Sequence, residues 1–452
     1  MNPWMAGFTL LLHGCLVIEP PTGTGTDGNM TDSTDSTGTT TDTGTGCGAG
    51  AVPLAGPIRS DLTLDPSCTY LLEGAVVVGV EEPVPEEERV TLVVPAGTVI
   101  LGDAASGGSL VVQRGGRIEV QGTEDAPVEM TSSQPEGMRA AGDWGGLVIH
   151  GRAPVACDPT GLEPDEPCEA VGEGGTGLYG GGDAGDSSGS LSYLRISFAG
   201  RLFAPDAELS GLALRGVGAG TTVDHVQVHR SGGGGVELRG GTVGIQRLLV
   251  THAGKVGIAI DDGWTGPAQW VVVQASPEES DDGITVAGPG SAPVSPVTDP
   301  VLANLTVIGG SGSGVGLSMR QGARLQLWSS QIVSWGTAGL AFGDSATTDA
   351  LTAGDTTMQH VLIDSVTPVA SGSPSCGLAC VTAWFEDQAG NELGVSDLDA
   401  RANETNPTAP VFRSARVGGS VPSDPFFEPT AAIGAVPATH DWTAGWARYP
   451  RD

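Results

Sequence analysis

The stretch "GVELRGGTVGIQRLLVTHAGKVGIAIDDGWTG" (residues 235–266) contains two kinds of short apolar block that recur along the chain. Blocks of the first kind, such as "RLLVTHAG", are spaced 22 to 34 residues apart and begin at Tyr193, His225, Arg247, Trp270, Asn304, Ser330 and His360. Blocks of the second kind, such as "GVELRG", follow the first six and begin at Gly211, Gly235, Gly257, Gly283, Gly314 and Gly339. Two strands per repeat with glycine turns between them predict a parallel β-helix, in which successive repeats stack.

The second block predicts two columns of core side chains, since its second and fourth residues are apolar and alternate residues of a strand point to opposite faces. The first expected column is Leu212, Val236, Ile258, Ile284, Val315 and Leu340. The second expected column is Leu214, Leu238, Ile260, Val286, Leu317 and Phe342. A β-sandwich is the alternative, but sandwiches rarely keep one block order through six repeats. We therefore predict an all-β, single-stranded parallel β-helix (a solenoid) with inserted loops.

The composition agrees with a chain of many turns and excludes one class of partner. Glycine accounts for 72 of 452 residues and charged residues for only 16%. The formal net charge is −33. A chain this acidic repels the phosphate backbone, so we expect no nucleic-acid partner. The simplest interpretation is that the negative charge keeps the protein soluble, although an acidic surface can also bind divalent cations weakly.

The N-terminal residues have the pattern of an export signal. The stretch "MAGFTLLLHGC" ends at Cys15 and is too short to cross a bilayer as a helix, which needs about 20 residues. It suits the apolar core of a secretory signal, and "LHGC" resembles the lipobox of bacterial lipoproteins, in which the cysteine receives lipid. We expect Cys15 to be lipidated and to hold the protein in a membrane. A plain secretory signal is the alternative.

Three domains follow from this interpretation. Residues 1–15 are expected to be a lipoprotein signal peptide ending at the lipobox cysteine. Residues 16–50 are rich in Thr, Gly and Asp, cannot bury a core, and are expected to form a disordered tether. Residues 51–452 are expected to form the β-helix domain with terminal caps. The expected location is the outer membrane or cell surface of a Gram-negative bacterium.

The six other cysteines fall into three local pairs. An exported chain would oxidise them. We expect the disulfides Cys47–Cys68, Cys157–Cys168 and Cys376–Cys380. The last two cysteines are four residues apart and have no second pair nearby, so a zinc site is disfavoured.

Several longer motifs resemble a family of bacterial secreted and lipid-anchored proteins with a right-handed parallel β-helix. They include "LVVQRGGRIEVQGTEDAPVEMTSS", "GDWGGLVIHGRAPV", the opening stretch and the closing "DPFFEPTAAIGAV". The resemblance runs from about Leu62 to Trp446 and implies a right-handed helix and an extracellular location, but no established activity. In the family, acidic pairs usually stand where this chain has Gly233 and Gly234, whereas Glu237 and Asp261 remain.

The aspartates of "GIAIDDGWTG" allow three interpretations. The repeat register places Asp261 one rung from Arg239, about 4.8 Å away, where the two would form an ion pair. Asp262 would begin the turn that follows. Alternatively, Asp261 and Asp262 could share a Ca²⁺ ion with Asp281 and Asp282 of the next acidic turn, since Ca²⁺ takes 6–8 oxygen ligands. Catalytic carboxylates are the third interpretation. We expect no cofactor on the first interpretation and Ca²⁺ on the second.

Two functions remain open from the sequence. The first is a cell-surface lipoprotein with a structural or binding role, in contact with extracellular polysaccharide or other cells. The second is a carbohydrate-active lyase or hydrolase on the same scaffold. A pocket with two or three carboxylates within about 6–10 Å of one another would favour the enzyme, and a smooth acidic face would favour binding.

Overall fold

The computed structural model describes residues 47–451, except 49, 159, 161, 163–165, 205–206, 277–281, 291–293, 311 and 399–409. The expected signal peptide with Cys15, nearly all of the expected tether, and Asp281 lie outside the described residues. No helix in the described part of the chain is both long and apolar enough to cross a membrane.

The described chain consists mainly of short strands. In chain order they are β1 (Val52–Ile58), β2 (Leu62–Thr63), β3 (Thr69–Val78), β4 (Val90–Pro95), β5 (Val99–Gly102), β6 (Ser109–Val112), β7 (Gly116–Gln121), β8 (Val128–Ser132), β9 (Gly146–His150), β10 (Ala170–Gly172), β11 (Gly177–Tyr179), β12 (Gly189–Ser197), β13 (Leu202–Ala204), β14 (Ala207–Glu208), β15 (Leu212–Val217), β16 (Thr222–His229), β17 (Val236–Gly241), β18 (Gly244–Thr251), β19 (Ile258–Asp261), β20 (Pro267–Gln274), β21 (Ile284–Ala287), β22 (Val301–Ile308), β23 (Val315–Arg320), β24 (Gln326–Trp328), β25 (Gln331–Val333), β26 (Ala338–Phe342), β27 (Thr357–Gln359), β28 (Leu362–Asp364), β29 (Val369–Ser371), β30 (Glu392–Leu393), β31 (Arg413–Ser414) and β32 (Val436–Pro437). The two α-helices are α1 (Ser345–Ala353) and α2 (Leu378–Asp387). Single 3₁₀ turns lie at Glu86–Glu88 and Glu173–Gly175.

The strands stack in parallel into three faces, as the repeats predict. Face A contains β2, β4, β7, the first halves of β12, β16, β18, β20 and β22, then β24 and β27. Face B contains β1, the first half of β3, then β5, β8, the second halves of the same five long strands, and β25, β28 and β30. Face C contains the second half of β3, then β6, β9, β15, β17, β19, β21, β23, β26 and β29. The fold is therefore the right-handed, single-stranded parallel β-helix.

The corner between faces A and B explains where the first block begins. From β12 to β28, each rung has at this corner a residue in the left-handed region: Tyr193, His225, Arg247, Trp270, Asn304, Ser329 and His360. Residues other than glycine rarely adopt this backbone conformation, because it brings Cβ too close to the following carbonyl oxygen. Stacking at the corner offsets part of that cost, as for Tyr193 and His225, whose rings stack with centroids 4.2 Å apart. The predicted block starts coincide with these corners, except that the corner is Ser329 rather than Ser330.

The two core columns on face C follow the predicted register through the first four rungs. Leu212, Val236, Ile258 and Ile284 are paired in sequence, and Leu214, Leu238, Ile260 and Val286 form the second column. The prediction is wrong at the next rung, where Ile284 pairs with Leu317 and Val286 with Met319. Val315 therefore does not belong to the first column, and Leu317 lies in the first column instead of the second.

A ladder of glycines gives the reason for this slip. A Cβ added to Gly257 would lie 2.6 Å from the carbonyl oxygen of Gly283, and one added to Gly283 would lie 2.6 Å from that of Gly316. The same holds for Gly316 against Gly339. In "SGVGL" (residues 313–317), the glycine required at this corner is therefore Gly316. The repeat pattern had predicted that the second block begins at Gly314.

Three of the described segments outside the repeats pack against the β-helix. The insertion between β9 and β12 forms the antiparallel hairpin β10–β11, which lies against face C. The C-terminal segment, residues 410–451, is held by outward polar side chains of faces A and B, for example through Asn304 Nδ2, which donates to the carbonyl of Ala432. Helix α2 packs beside β29 and buries Val381 and Phe385 in the main core.

All three expected disulfides are present: Cys47–Cys68, Cys157–Cys168 and Cys376–Cys380. Cys157–Cys168 closes the insertion just before β10. It therefore restrains the hairpin that packs on face C.

Candidate functional site

A polar groove of about 580 Å³ lies on the outer side of face C. Outward side chains of β17, β19, β21 and β23 form its floor, so it crosses successive rungs. Its carboxylates are Glu173, Glu208, Glu237, Asp261 and Asp282, and its cationic side chains are Arg239, Lys255 and Arg320. The groove thus contains the residues around which the sequence hypotheses were built, together with others.

Arg239 is the centre of the groove's charge network. Its Nη2 lies 2.7 Å from Oε1 of Glu173, and its Nε lies 3.1 Å from Oε1 of Glu237. The same Nε lies 3.5 Å from Oδ1 of Asp261, and the two residues are register neighbours, as expected from the repeat. The Arg239–Asp261 contact is an ion pair without hydrogen-bond geometry, because Oδ1 of Asp261 has no hydrogen-bond partner among the described residues.

Glu237 lies below the groove between two guanidinium groups. Nε of Arg215 donates to its Oε1 at 2.6 Å, and Arg239 approaches the same oxygen from the neighbouring strand. The Glu237 side chain is 6% exposed, so it has little access to solvent. The charge-assisted hydrogen bond from Arg215 is of the strong kind, and together with the ion pair to Arg239 it fixes Glu237 as part of the floor.

Asp261 has a pKa well above the usual range of a carboxyl group. Burial raises the pKa of Asp261 to about 7, while Arg239 opposes the shift and the nearby carboxylates Asp262, Glu237 and Glu173 reinforce it. Asp261 therefore holds a proton in weakly acidic solution. A carboxylic acid next to fixed carboxylates is an arrangement that acid–base chemistry uses.

The inserted hairpin brings two functional side chains that the sequence did not indicate. Glu173 lies in its turn and reaches Arg239, and the Tyr179 hydroxyl donates to Oδ2 of Asp262 at 3.0 Å. Burial, followed by the charge of Asp262, raises the pKa of Tyr179 above its usual range. The sequence signal for this hairpin is the Cys157–Cys168 pair. The pair indicates an insertion but does not indicate against which face of the β-helix it packs.

Further groove residues also lay outside the sequence hypotheses. Lys255 Nζ lies 2.7 Å from Oε2 of Glu208. Arg320 is the register partner of Ala287, at the end of β23. The predicted columns place Ser318 beside Ala287. Because the true register differs by two residues, the sequence did not indicate that Arg320 lies in the groove.

The described aspartates of the calcium hypothesis each contact a different protein group. Asp261 faces Arg239, Asp262 accepts from Tyr179, and Oδ1 of Asp282 accepts the backbone N–H of Val315 at 2.8 Å. Across the described residues, no group of three or more His, Cys, Asp or Glu side chains is arranged to hold a metal ion. Asp281 lies outside the described residues, so the calcium site of these four aspartates stays a prediction.

Residues 56–447 match the model of a protein family described as the pectate-lyase-like β-helix domain. The chain belongs to this family. The match covers nearly all of the described fold, and it confirms the resemblance to β-helix proteins found in the sequence.

Two solved structures are similar to this pectate-lyase-like β-helix. One is the enzymatically active domain of bacteriophage CBA120 tailspike protein 2, with 13% identity and a TM-score of 0.36, covering 73% of this chain and 42% of that chain. The other is the A-module of the mannuronan C-5 epimerase AlgE4 from Azotobacter vinelandii, with 12% identity and a TM-score of 0.26, covering 76% of this chain and 87% of that chain. The chain thus spans less than half the length of the tailspike domain. The comparison with curated proteins gave no match.

Proposed function

We propose that the protein binds a neutral polysaccharide chain in the groove on face C, and that a lipid on Cys15 displays it at the surface of a Gram-negative cell. The observation that carries the proposal is the groove itself, in which five carboxylates and three cationic side chains surround a floor of parallel strands. Hydroxyl groups of a sugar both donate and accept hydrogen bonds, so this mixed lining suits them. Family membership supports a carbohydrate ligand in general, and the preference for a neutral chain rests on the charge of the groove.

The shape of the groove supports an extended ligand. Its floor crosses the four strands β17, β19, β21 and β23, and neighbouring strands are about 4.8 Å apart. A chain lying across the rungs would meet a new set of side chains at each strand. A site built on a sheet also needs little rearrangement on binding, which limits the entropic cost.

The charge of the groove supports a neutral chain over a polyuronate. Five carboxylates line it against three cationic groups, and two of those cations are already paired, Arg239 with Glu173 and Lys255 with Glu208. The whole chain has a formal net charge of −33, which adds a repulsive field for any polyanion. We therefore expect polygalacturonate and alginate to bind more weakly than neutral glucans, mannans or xylans.

A glycan array followed by calorimetry with the full chain tests this proposal. We expect at least one neutral polysaccharide to bind and Glu173→Gln to weaken it at least tenfold. The matched control is Glu73→Gln, because Glu73 is an exposed carboxylate of β3 outside the groove. Binding restricted to polyuronates, or equal effects of the two variants, would contradict the proposal.

A second candidate function is cleavage of the bound chain, and two observations favour it. The carboxylates of Glu173, Glu237 and Asp261 all contact the Arg239 guanidinium and so lie close together, as expected of an enzyme, and burial raises the pKa of Asp261. A carboxylic acid near neutrality can protonate a leaving oxygen, and glycoside hydrolases pair such an acid with a second carboxylate. Glu173 is the partner that the groove exposes, with a side chain that is 33% exposed. Reducing ends should then appear on incubation with the bound glycan and disappear with Asp261→Asn, whereas binding without release leaves the chain a binding protein.

A further inference from the structure

A second pocket, of about 550 Å³, lies on the outer side of face B and has a different chemistry. Its floor consists of outward side chains of β8, β12 and β16, among them Glu129, Arg195 and Gln227, which are register neighbours. Its walls come from the loop after β8, with Arg139, and from the C-terminal segment, with Arg448. We name it the arginine pocket after Arg139, Arg195 and Arg448.

Arg195 is buried in this pocket without the partners that a guanidinium needs. The residue is only 8% exposed, and neither Nε nor Nη1 has a hydrogen-bond partner among the described residues. Leaving a buried cation incompletely hydrogen-bonded costs several kcal/mol. An unsatisfied guanidinium in the floor of an open pocket points to a group that arrives from outside.

The C-terminal wall is fixed in place. Nε2 of Gln227 donates to the carbonyl of Arg448 at 2.7 Å, and the backbone N–H of Arg448 donates to Oε1 of Gln227 at 3.0 Å. Nε2 of His229 lies 2.8 Å from the carbonyl oxygen of Pro450. The pocket is therefore preformed, and a ligand would not have to order this segment.

The charges that face Arg195 favour an anion, but only a small one. Arg139 and Arg448 add two cations, while Glu129 and Glu136 add two carboxylates, and His229 lines the same pocket. The balance of the charged side chains is one net positive charge in a chain whose formal net charge is −33. One anionic group would neutralise the pocket, whereas a polyanion would meet the two glutamates and the acidic surface beyond.

We propose that the arginine pocket binds a small ligand through one oxyanion group, a carboxylate or a phosphate, held by Arg195. A guanidinium presents its N–H groups in a planar fork that matches two oxygens of such an anion. The site lies on face B and shares no lining residue with the groove on face C, so it is independent of the proposed polysaccharide binding.

Calorimetry with the full chain tests the proposal at constant ionic strength, with galacturonate as the carboxylate probe, inorganic phosphate as the tetrahedral probe and chloride as the background. We expect saturable binding of at least one probe, at least tenfold weaker in Arg195→Met and in Arg448→Met. The control is Arg324→Met, since Arg324 lies outside the pocket and pairs with Asp355. The tighter probe identifies the source of the oxyanion.

Thermal unfolding without ligand provides a second readout. Because Nε and Nη1 of Arg195 lack hydrogen-bond partners among the described residues, Arg195→Met should not lower the melting temperature, whereas galacturonate or phosphate should raise that of the wild type. A large loss of stability in Arg195→Met would show that the protein itself satisfies this guanidinium and would overturn the proposal. Absence of saturable binding, or equal binding by wild type and Arg195→Met, would overturn it as well.

Discussion

At the scale of single residues, the titration of Asp261 predicts a pH-dependent stability. Its pKa is raised from 3.8 to about 7, so between these values the folded protein holds a proton that the unfolded chain has released. The free energy of unfolding therefore falls as the pH rises through this window and is unchanged by this group below it. Asp261→Asn cannot ionise, so its stability relative to wild type should rise from about pH 4 to about pH 7, by at most about 1.4 kcal/mol per pH unit.

Urea denaturation at three pH values in this window measures the difference. Glu73→Gln provides the control for the substitution itself, because Glu73 is an exposed carboxylate of β3 outside the groove. A flat difference for Asp261→Asn would show that Asp261 is ionised throughout and that its ion pair with Arg239 outweighs its burial.

The contacts of single residues were predictable only where the repeat relates them. The proximity of Arg239 and Asp261 followed from the sequence, because both occupy the fifth position of successive second blocks. Glu173 and Tyr179 lie in an insertion without periodicity, and nothing in its sequence says which face it covers. The acidity of Asp261 likewise depends on Glu173, a neighbour supplied by that insertion.

At the scale of the structural elements, the glycine ladder at the start of the face C strands predicts a steep dependence on one methyl group. A Cβ at Gly316 would lie 2.6 Å from the carbonyl oxygen of Gly339 and also against the side chains of Ile332 and Trp335. The neighbouring backbone and core side chains cannot all move away from the added methyl group. Gly316→Ala should therefore lower the free energy of unfolding by about 1–3 kcal/mol or more, as overpacking does. Gly312→Ala is the control, because nothing lies within 4 Å of a Cβ there.

Chemical denaturation of the two variants decides this point. A loss at Gly312 equal to that at Gly316 would mean that chain flexibility, rather than close approach of neighbouring rungs, explains the effect. The same close approach explains the error in the sequence register. Period-2 alternation alone fits Val315 and Leu317 equally well, and only contact with the neighbouring rungs selects Leu317.

At the scale of the whole molecule, the sequence was sufficient for the solenoid and insufficient for the surfaces that could bind ligands. Stacked repeats each contact their neighbours in sequence, so periodicity predicts them. The groove on face C and the arginine pocket on face B instead depend on the β10–β11 hairpin and on residues 447–450, which return to the helix from distant parts of the chain. Such long-range packing leaves no periodic signal.

The charge of the whole molecule also bears on how it would be held at a membrane, and the last prediction concerns Cys15. A formal net charge of −33 repels anionic bilayer surfaces, so electrostatics offers the protein no affinity for them. Acyl chains contribute about 0.8 kcal/mol for each buried CH₂ group, which can outweigh that repulsion. We therefore expect wild type in the membrane fraction and Cys15→Ala in the soluble fraction of the cell envelope or the medium. The measurement is fractionation with immunoblotting, and the control is Cys47→Ala together with Cys68→Ala, which removes a disulfide and leaves the lipobox intact. Membrane retention of Cys15→Ala would show that the lipobox interpretation is wrong.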